Sequence, residues 1–139
     1  MDVVAFEPWH ARVLTPQPAQ RMDAQAFDEA FDAPFGDAWT AMHEGRPIAC
    51  AGLVELWRGR AMAWALLAAD AGRHLRPLTR VIRFHLDNAR FDRIELSVDA
   101  GFGNGCQWAR MLGFTLAAPS PLRKFLANGG DAWLFERVR

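Results

Sequence analysis

Between Ala38 and Ala68 the chain passes through three apolar-rich runs separated by two tight polar turns, and that spacing leaves few folds open. AWTAMH (38–43) and PIACAGLVELW (47–57) flank Glu44-Gly45-Arg46, and Arg58-Gly59-Arg60 separates the second run from AMAWALLA (61–68). Short β-prone runs broken by glycine turns predict three consecutive antiparallel strands, a meander. The third run is apolar on both faces, which suits a central strand covered from both sides.

After the meander the period changes. DAGRHLR (70–76) is polar and predicts a loop, and Pro77 suits the first turn of a helix, where its missing N–H costs nothing. From there to Asn88, Leu78, Val81, Ile82, His85 and Leu86 share one helical face, with Arg76, Arg80, Arg83 and Asp87 on the other. RIELSVD (93–99) alternates, with Ile94, Leu96 and Val98 facing inward. A strand, a crossover helix and a second strand predict a parallel pair.

AGFGNG (100–105) is a glycine-rich turn, CQWARML a helix with Gly113 as its C′ residue, and residues 114–116 and 131–138 are the last strands. Ahead of the meander stand a strand (2–6), helical turns from Pro8, a proline loop (15–20) and a helix (23–33) with Asp23 as N-cap, ended by Pro34 and Gly36. This order predicts one mixed α/β domain over residues 1–139, with helices on both faces of the sheet.

Composition excludes several function classes. Sixteen basic and sixteen acidic side chains cancel, so no overall field recruits nucleic acid or an anionic membrane. No apolar stretch reaches membrane-spanning length, and MDVVAFEPWHARVL lacks the pattern of a signal peptide. Cys50 and Cys106 fit neither a metal-ligand nor a redox spacing, which points to free thiols in a reducing, cytoplasmic setting. His10, His43, His74 and His85 have no HxH or HxxxH spacing, so no metal site is expected. The chain has six tryptophans and no tyrosine; the tryptophans, at strand and helix positions, read as packing or interface residues.

RIELSVDAGFGNGCQWARMLGF (93–114), together with RPIACAGLVELWRGRAMAWALL upstream, resembles the GNAT (GCN5-related N-acetyltransferase) superfamily. Within it, WTAMHEGRPIACAGL and the closing GGDAWLFERVR are similar to short phage or prophage GNAT-like proteins, some of them internal virion proteins. The resemblance implies an acyl-CoA-dependent transfer, with acetyl-CoA as cofactor and an amine as acceptor. A homodimer and a phage or host protein partner are within the family's habits.

The resemblance also distributes roles. Gly72, Arg73, His74 and Arg76 fall in the pyrophosphate loop, where small residues and a helix start normally receive phosphate. Leu66, Leu67 and Ala68 fall on the strand edge along which pantetheine runs, and Asn104 matches a pantetheine-contacting asparagine. Glu55 and Asp99 are the candidate general bases, with His43 and Glu95 behind them.

Two departures weaken the usual chemistry. Leu75 and Pro77 stand where backbone amides would approach phosphate, and Ala109 stands where the family carries its acid tyrosine. Cys106, near a helix start that can lower a thiol pKa, is a conceivable substitute. The alternative function is a catalytically degenerate GNAT-fold protein acting as a virion component or interaction module.

Overall fold

The computed structural model describes residues 1–16 and 37–139. The helix expected over 23–33 and most of the proline loop at 15–20 lie outside the described residues.

Two compact units divide the chain. Met1–Val54 with Ala63–Leu78 forms one, and Glu55–Met62 with Thr79–Arg139 forms the other. The first holds β1 (Asp2–Ala5), α1 (Pro8–Val13), β2 (Asp37–His43), most of β3 (Arg46–Trp57), the end of β4 (Arg60–Leu67), a 3-10 turn (Ala71–His74) and the start of α2 (Leu75–Asp87). The second holds the β3–β4 turn, the rest of α2, β5 (Arg93–Asp99), α3 (Gly103–Met111), β6 (Thr115–Leu116) and β7 (Ala132–Val138). The strands form a seven-stranded sheet in the order β1-β2-β3-β4-β5-β7-β6. The meander, the crossover helix and the parallel strand are therefore all present.

Local chemistry explains the turns. Glu44 and Gly45 are both left-handed, at φ 52° and 75°, which is the backbone of a two-residue hairpin whose twist matches its strands. In β3, a Cβ on Gly52 would come within 2.8 Å of both the Ala38 Cβ and the Trp64 indole nitrogen, so only glycine admits that approach. α3 ends as its sequence predicts. Gly113, at φ 93°, donates to the Arg110 carbonyl at 3.0 Å, and Phe114 donates to the Ala109 carbonyl at 3.0 Å. That bond pair is the Schellman motif, with the buried Phe114 as its apolar residue.

In the first unit Ile48, Cys50, Leu53, Leu66, Leu67 and Leu78 are buried, and in the second Ala61, Phe91, Ile94, Ala109, Leu112 and Phe135. Burying such side chains fully is worth about 1.5–3 kcal/mol each for the large aliphatic and aromatic ones.

Several expectations change. The polar segment before α2 is a 3-10 turn, and the helix begins at Leu75, so Pro77 is its third residue. Proline is tolerated there because the first helical N–H groups have no intrahelical acceptor. Glu95, expected on the solvent face of β5, is only 4% exposed, whereas Leu96 and Val98 are half-buried. None of the six tryptophans is fully buried, and Trp9 and Trp57 are exposed. An indole keeps its N–H partnered more easily at a boundary than in the core; Trp108 donates to the Thr79 hydroxyl at 2.8 Å and Trp9 to the Glu7 carboxylate at 3.1 Å.

Candidate functional site

The segment after β4 gathers most of the residues expected to hold a cofactor. Leu66 and Leu67 close β4 and are buried. Ala68 lies past the strand; its N–H donates to the Ile48 carbonyl at 2.8 Å and it bridges Pro16. That amide is thus already used, which removes Ala68 as a backbone donor to pantetheine.

Gly72 sits in the 3-10 turn, exposed, with open space where a Cβ would project. Its carbonyl accepts the Leu75 N–H. His74 lies against His43, ring centroids 4.5 Å apart and planes tilted by 46°. Arg73 and Arg76 project from the turn and the first turn of α2, both exposed.

Charge pairing around these arginines departs from a simple solvated face. Asp70, the nearest carboxylate in sequence, is taken by Arg46 at 2.9 Å, and that hydrogen bond holds its carboxyl below the usual range. Asp87, on the polar face of α2, accepts from Arg137, whose guanidinium likewise lowers its carboxyl. Among the described residues Arg73, Arg76 and Arg80 form no ion pair. Their guanidinium donors therefore remain available to an anion.

A second group comes from the C-terminal end of β5 and from α3. Asp99 is half-buried and accepts the Gly101 N–H through Oδ1 at 2.8 Å. Asn104 is exposed on the first turn of α3. Cys106 is buried, and burial pushes its thiol up rather than down. Desolvation outweighs the cation nearby, Arg110, so the helix start does not lower this thiol. Ala109 is buried as well, and its carbonyl is committed to the Schellman bond.

The two remaining carboxylates behave differently. Glu55 is exposed at the end of β3 and pairs with Arg90 at 3.1 Å. Glu95 is locked: Arg60 Nε and Nη2 donate to it at 2.6 and 2.9 Å, and Arg93 Nε at 2.7 Å. Those bonds, Arg60 first, hold its carboxyl down to about 2, so it cannot act as a base near neutrality. The sequence carried one signal for this network. Arg93 and Glu95 are two residues apart on one strand and so share a face.

Among the described residues no group of three or more histidine, cysteine or acidic side chains is placed to hold a metal ion. No described helix is long and apolar enough to cross a membrane.

The strand register decides the architecture. β4 and β5 pair in parallel over Arg60↔Arg93, Ala61↔Ile94 and Met62↔Glu95, while β4 runs on to Leu67 and β5 to Asp99. β5 pairs antiparallel with β7 along its whole length.

No family model and no curated protein matches the chain, but solved structures do. Ard1 from Thermoplasma volcanium superposes with a TM-score of 0.75 at 12% identity, over 99% of this chain and 96% of that one. A ribosomal-protein-alanine N-acetyltransferase from Brucella melitensis gives 0.70 at 11%, over all of both chains. An acetyltransferase of the GNAT family from Streptococcus pneumoniae gives 0.64 at 10%, over 99% and 98%.

The chain has the GNAT fold. Identities this low speak for the fold alone. Within that fold, two clusters remain from the residues singled out in the sequence: Gly72, Arg73, His74 and Arg76 after β4, and Asp99 with Asn104 at the β5–α3 junction. Glu55 belongs to neither, standing instead in an exposed ion pair.

Proposed function

We propose that the protein is an acyl-CoA-dependent N-acyltransferase that acetylates an amine. The observation that carries this reading is the pair Arg73 and Arg76, exposed in the 3-10 turn and the first turn of α2, with Asp70, the nearest carboxylate in sequence, hydrogen-bonded to Arg46. Two guanidiniums beside a helix start are suited to a pyrophosphate, since charge-assisted donors and the helix dipole act in the same sense. Side chains here take over from the backbone amides that Leu75 and Pro77 displace.

The resemblance sets a pantetheine arm along the end of β4, at Leu66 and Leu67. Bound acyl-CoA supplies the thioester that the amine attacks and the thiolate that departs. Asp99 is the better base. Its Oδ1 holds the Gly101 amide, leaving Oδ2 to orient an ammonium and accept its proton, whereas Glu55 is engaged by Arg90. No tyrosine exists to protonate the leaving sulfur, so turnover is slower than with a positioned acid but retains the advantage of orientation. The sequence resemblance to phage proteins is what supports a setting in a host cytoplasm.

A second reading has one observation in its favour. Ala109, at the family's acid position, is buried and structural, as suits a GNAT-fold phage virion component or interaction module without transfer chemistry.

Calorimetry with acetyl-CoA separates the two readings. Each of Arg73→Ala and Arg76→Ala is expected to weaken binding by about 10-fold or more, the worth of one hydrogen bond between charged groups. Absence of binding by the unaltered protein at millimolar acetyl-CoA, or full affinity in the double variant, would overturn the enzyme reading.

A further inference from the structure

Apart from these clusters, the β3–β4 turn and the start of β5 border a shallow depression of about 590 Å³, largely open to solvent and lined by Trp57, Arg58, Arg60, Asp92, Glu95 and Leu134 among others. All of it lies in the second unit, and none of its residues has a place in the transfer chemistry of the acyl-CoA reading.

Glu95 is 4% exposed and takes the Nε–Nη2 edge of Arg60. A guanidinium is planar with its donors in a fixed fork, so an edge fixed inward leaves Nη1 directed away from the carboxylate. The same guanidinium lies 4.4 Å from the Trp57 ring centroid, which fixes its plane as well. Arg93 is fully committed, to Glu95 and to Glu136 at 3.4 Å. Arg58 is exposed and forms no ion pair among the described residues. Trp57 is 60% exposed.

The depression therefore presents an oriented guanidinium, an unpaired one beside it, and two apolar surfaces, Trp57 and Leu134. Asp92 and Glu95 are the opposing charges on its wall, so an attraction for anions has to come from the orientation of Arg60 and the unpaired Arg58 rather than from excess charge. A buried carboxylate that orients an arginine for outside work is a built receptor, because the entropy of fixing the fork is lost before a ligand arrives.

We propose that this depression binds a small aromatic anion, its carboxylate or phosphate meeting Arg60 and Arg58 and its ring lying against Trp57. The site is separate in residues from the acyl-CoA cluster, and its occupancy does not depend on transfer activity.

The test is a titration of the full chain followed by the Trp57 indole N–H resonance, assigned by its loss in Trp57→Phe. Benzoate and adenosine monophosphate are the probes, with benzyl alcohol and adenosine as uncharged counterparts. A saturable shift below about 10 mM is expected for at least one anion, with its uncharged counterpart at least about 10-fold weaker. A response to benzoate alone identifies a carboxylate site, and one to the nucleotide alone a phosphate site.

Arg58→Ala, an exposed position outside every ion pair among the described residues, is expected to weaken the responding anion by about 5-fold or more, whereas Arg73→Ala leaves it unchanged. No saturable shift with either anion, equal response to the uncharged counterparts, or a response unaffected by Arg58→Ala would overturn the proposal.

Discussion

Replacing Glu95 by glutamine removes the charge that Arg60 and Arg93 share. The ordinary carboxyl value of 4.5 falls to about 2 in the folded protein, which corresponds to about 3 kcal/mol of stability at pH 7. Breaking a fully buried ion pair costs about 3–5 kcal/mol. Here the arginine side chains are 30% and 36% exposed and can recover some hydration, so about 2–3 kcal/mol is expected for Glu95→Gln.

The sign with pH comes from the depressed folded value. Stability from Glu95 is fully present above 4.5 and is lost as pH falls toward 2. Urea unfolding monitored by circular dichroism, at a series of pH values from about 7 to about 3, reads this directly. The gap between the two proteins should shrink to about half its neutral value or less by pH 3. A gap that stays constant over that range, or one under about 0.5 kcal/mol at pH 7, would refute the idea that charge, rather than side-chain shape, holds the network.

Three further outcomes test other parts of the fold. Gly113→Ala places a Cβ at φ 93° and 3.2 Å from the Arg137 Nε, and should cost about 1–2 kcal/mol in urea unfolding, since the left-handed region penalises any side chain. Restoring the family's acid by Ala109→Tyr should lower the melting temperature, by overpacking worth about 1–3 kcal/mol or more, without raising acetyl transfer in a thiol-release assay. His10 is buried, and its Nδ1 accepts the Glu7 N–H at 3.0 Å and lies 2.7 Å from the Thr40 hydroxyl oxygen. Burial lowers its folded pKa below 6.5, so its contribution is full above 6.5 and is lost as pH falls through the folded value. The protection factor of the Glu7 amide, its exchange rate relative to the intrinsic rate at each pH, should fall over that acidic range, and His10→Gln should remove this change in protection.

The parts of the fold that were legible in the sequence share one property: they rest on neighbours close in the chain. Gly113 announced the end of α3 because a left-handed C′ residue succeeds a periodic run. Glu44-Gly45 and Arg58-Gly59-Arg60 announced the meander for the same kind of reason. The apolar face of α2 is read from spacing alone, and Leu78 and Leu86 are indeed buried.

Glu95 escaped that reading because alternation assigns faces without saying what covers them. Its burial depends on Arg60, thirty-five residues away. The tryptophans escaped it for a related reason, since composition records a ring and not the boundary at which it sits.

The candidate site divides along the same line. The residue types at Gly72, Arg73, His74 and Arg76 are a property of the sequence. Whether those arginines are neutralised is not, and it took the position of Arg46 against Asp70 to leave them available.

By itself, then, the sequence determined the order of strands and helices, the turns between them and the absence of a tyrosine, all of which stem from local backbone preference and residue type. Only the tertiary structure decided which charges are spent on each other, how far β4 and β5 pair, and where Trp57 stands. Those outcomes depend on distances between residues far apart in the chain, which local periodicity does not encode.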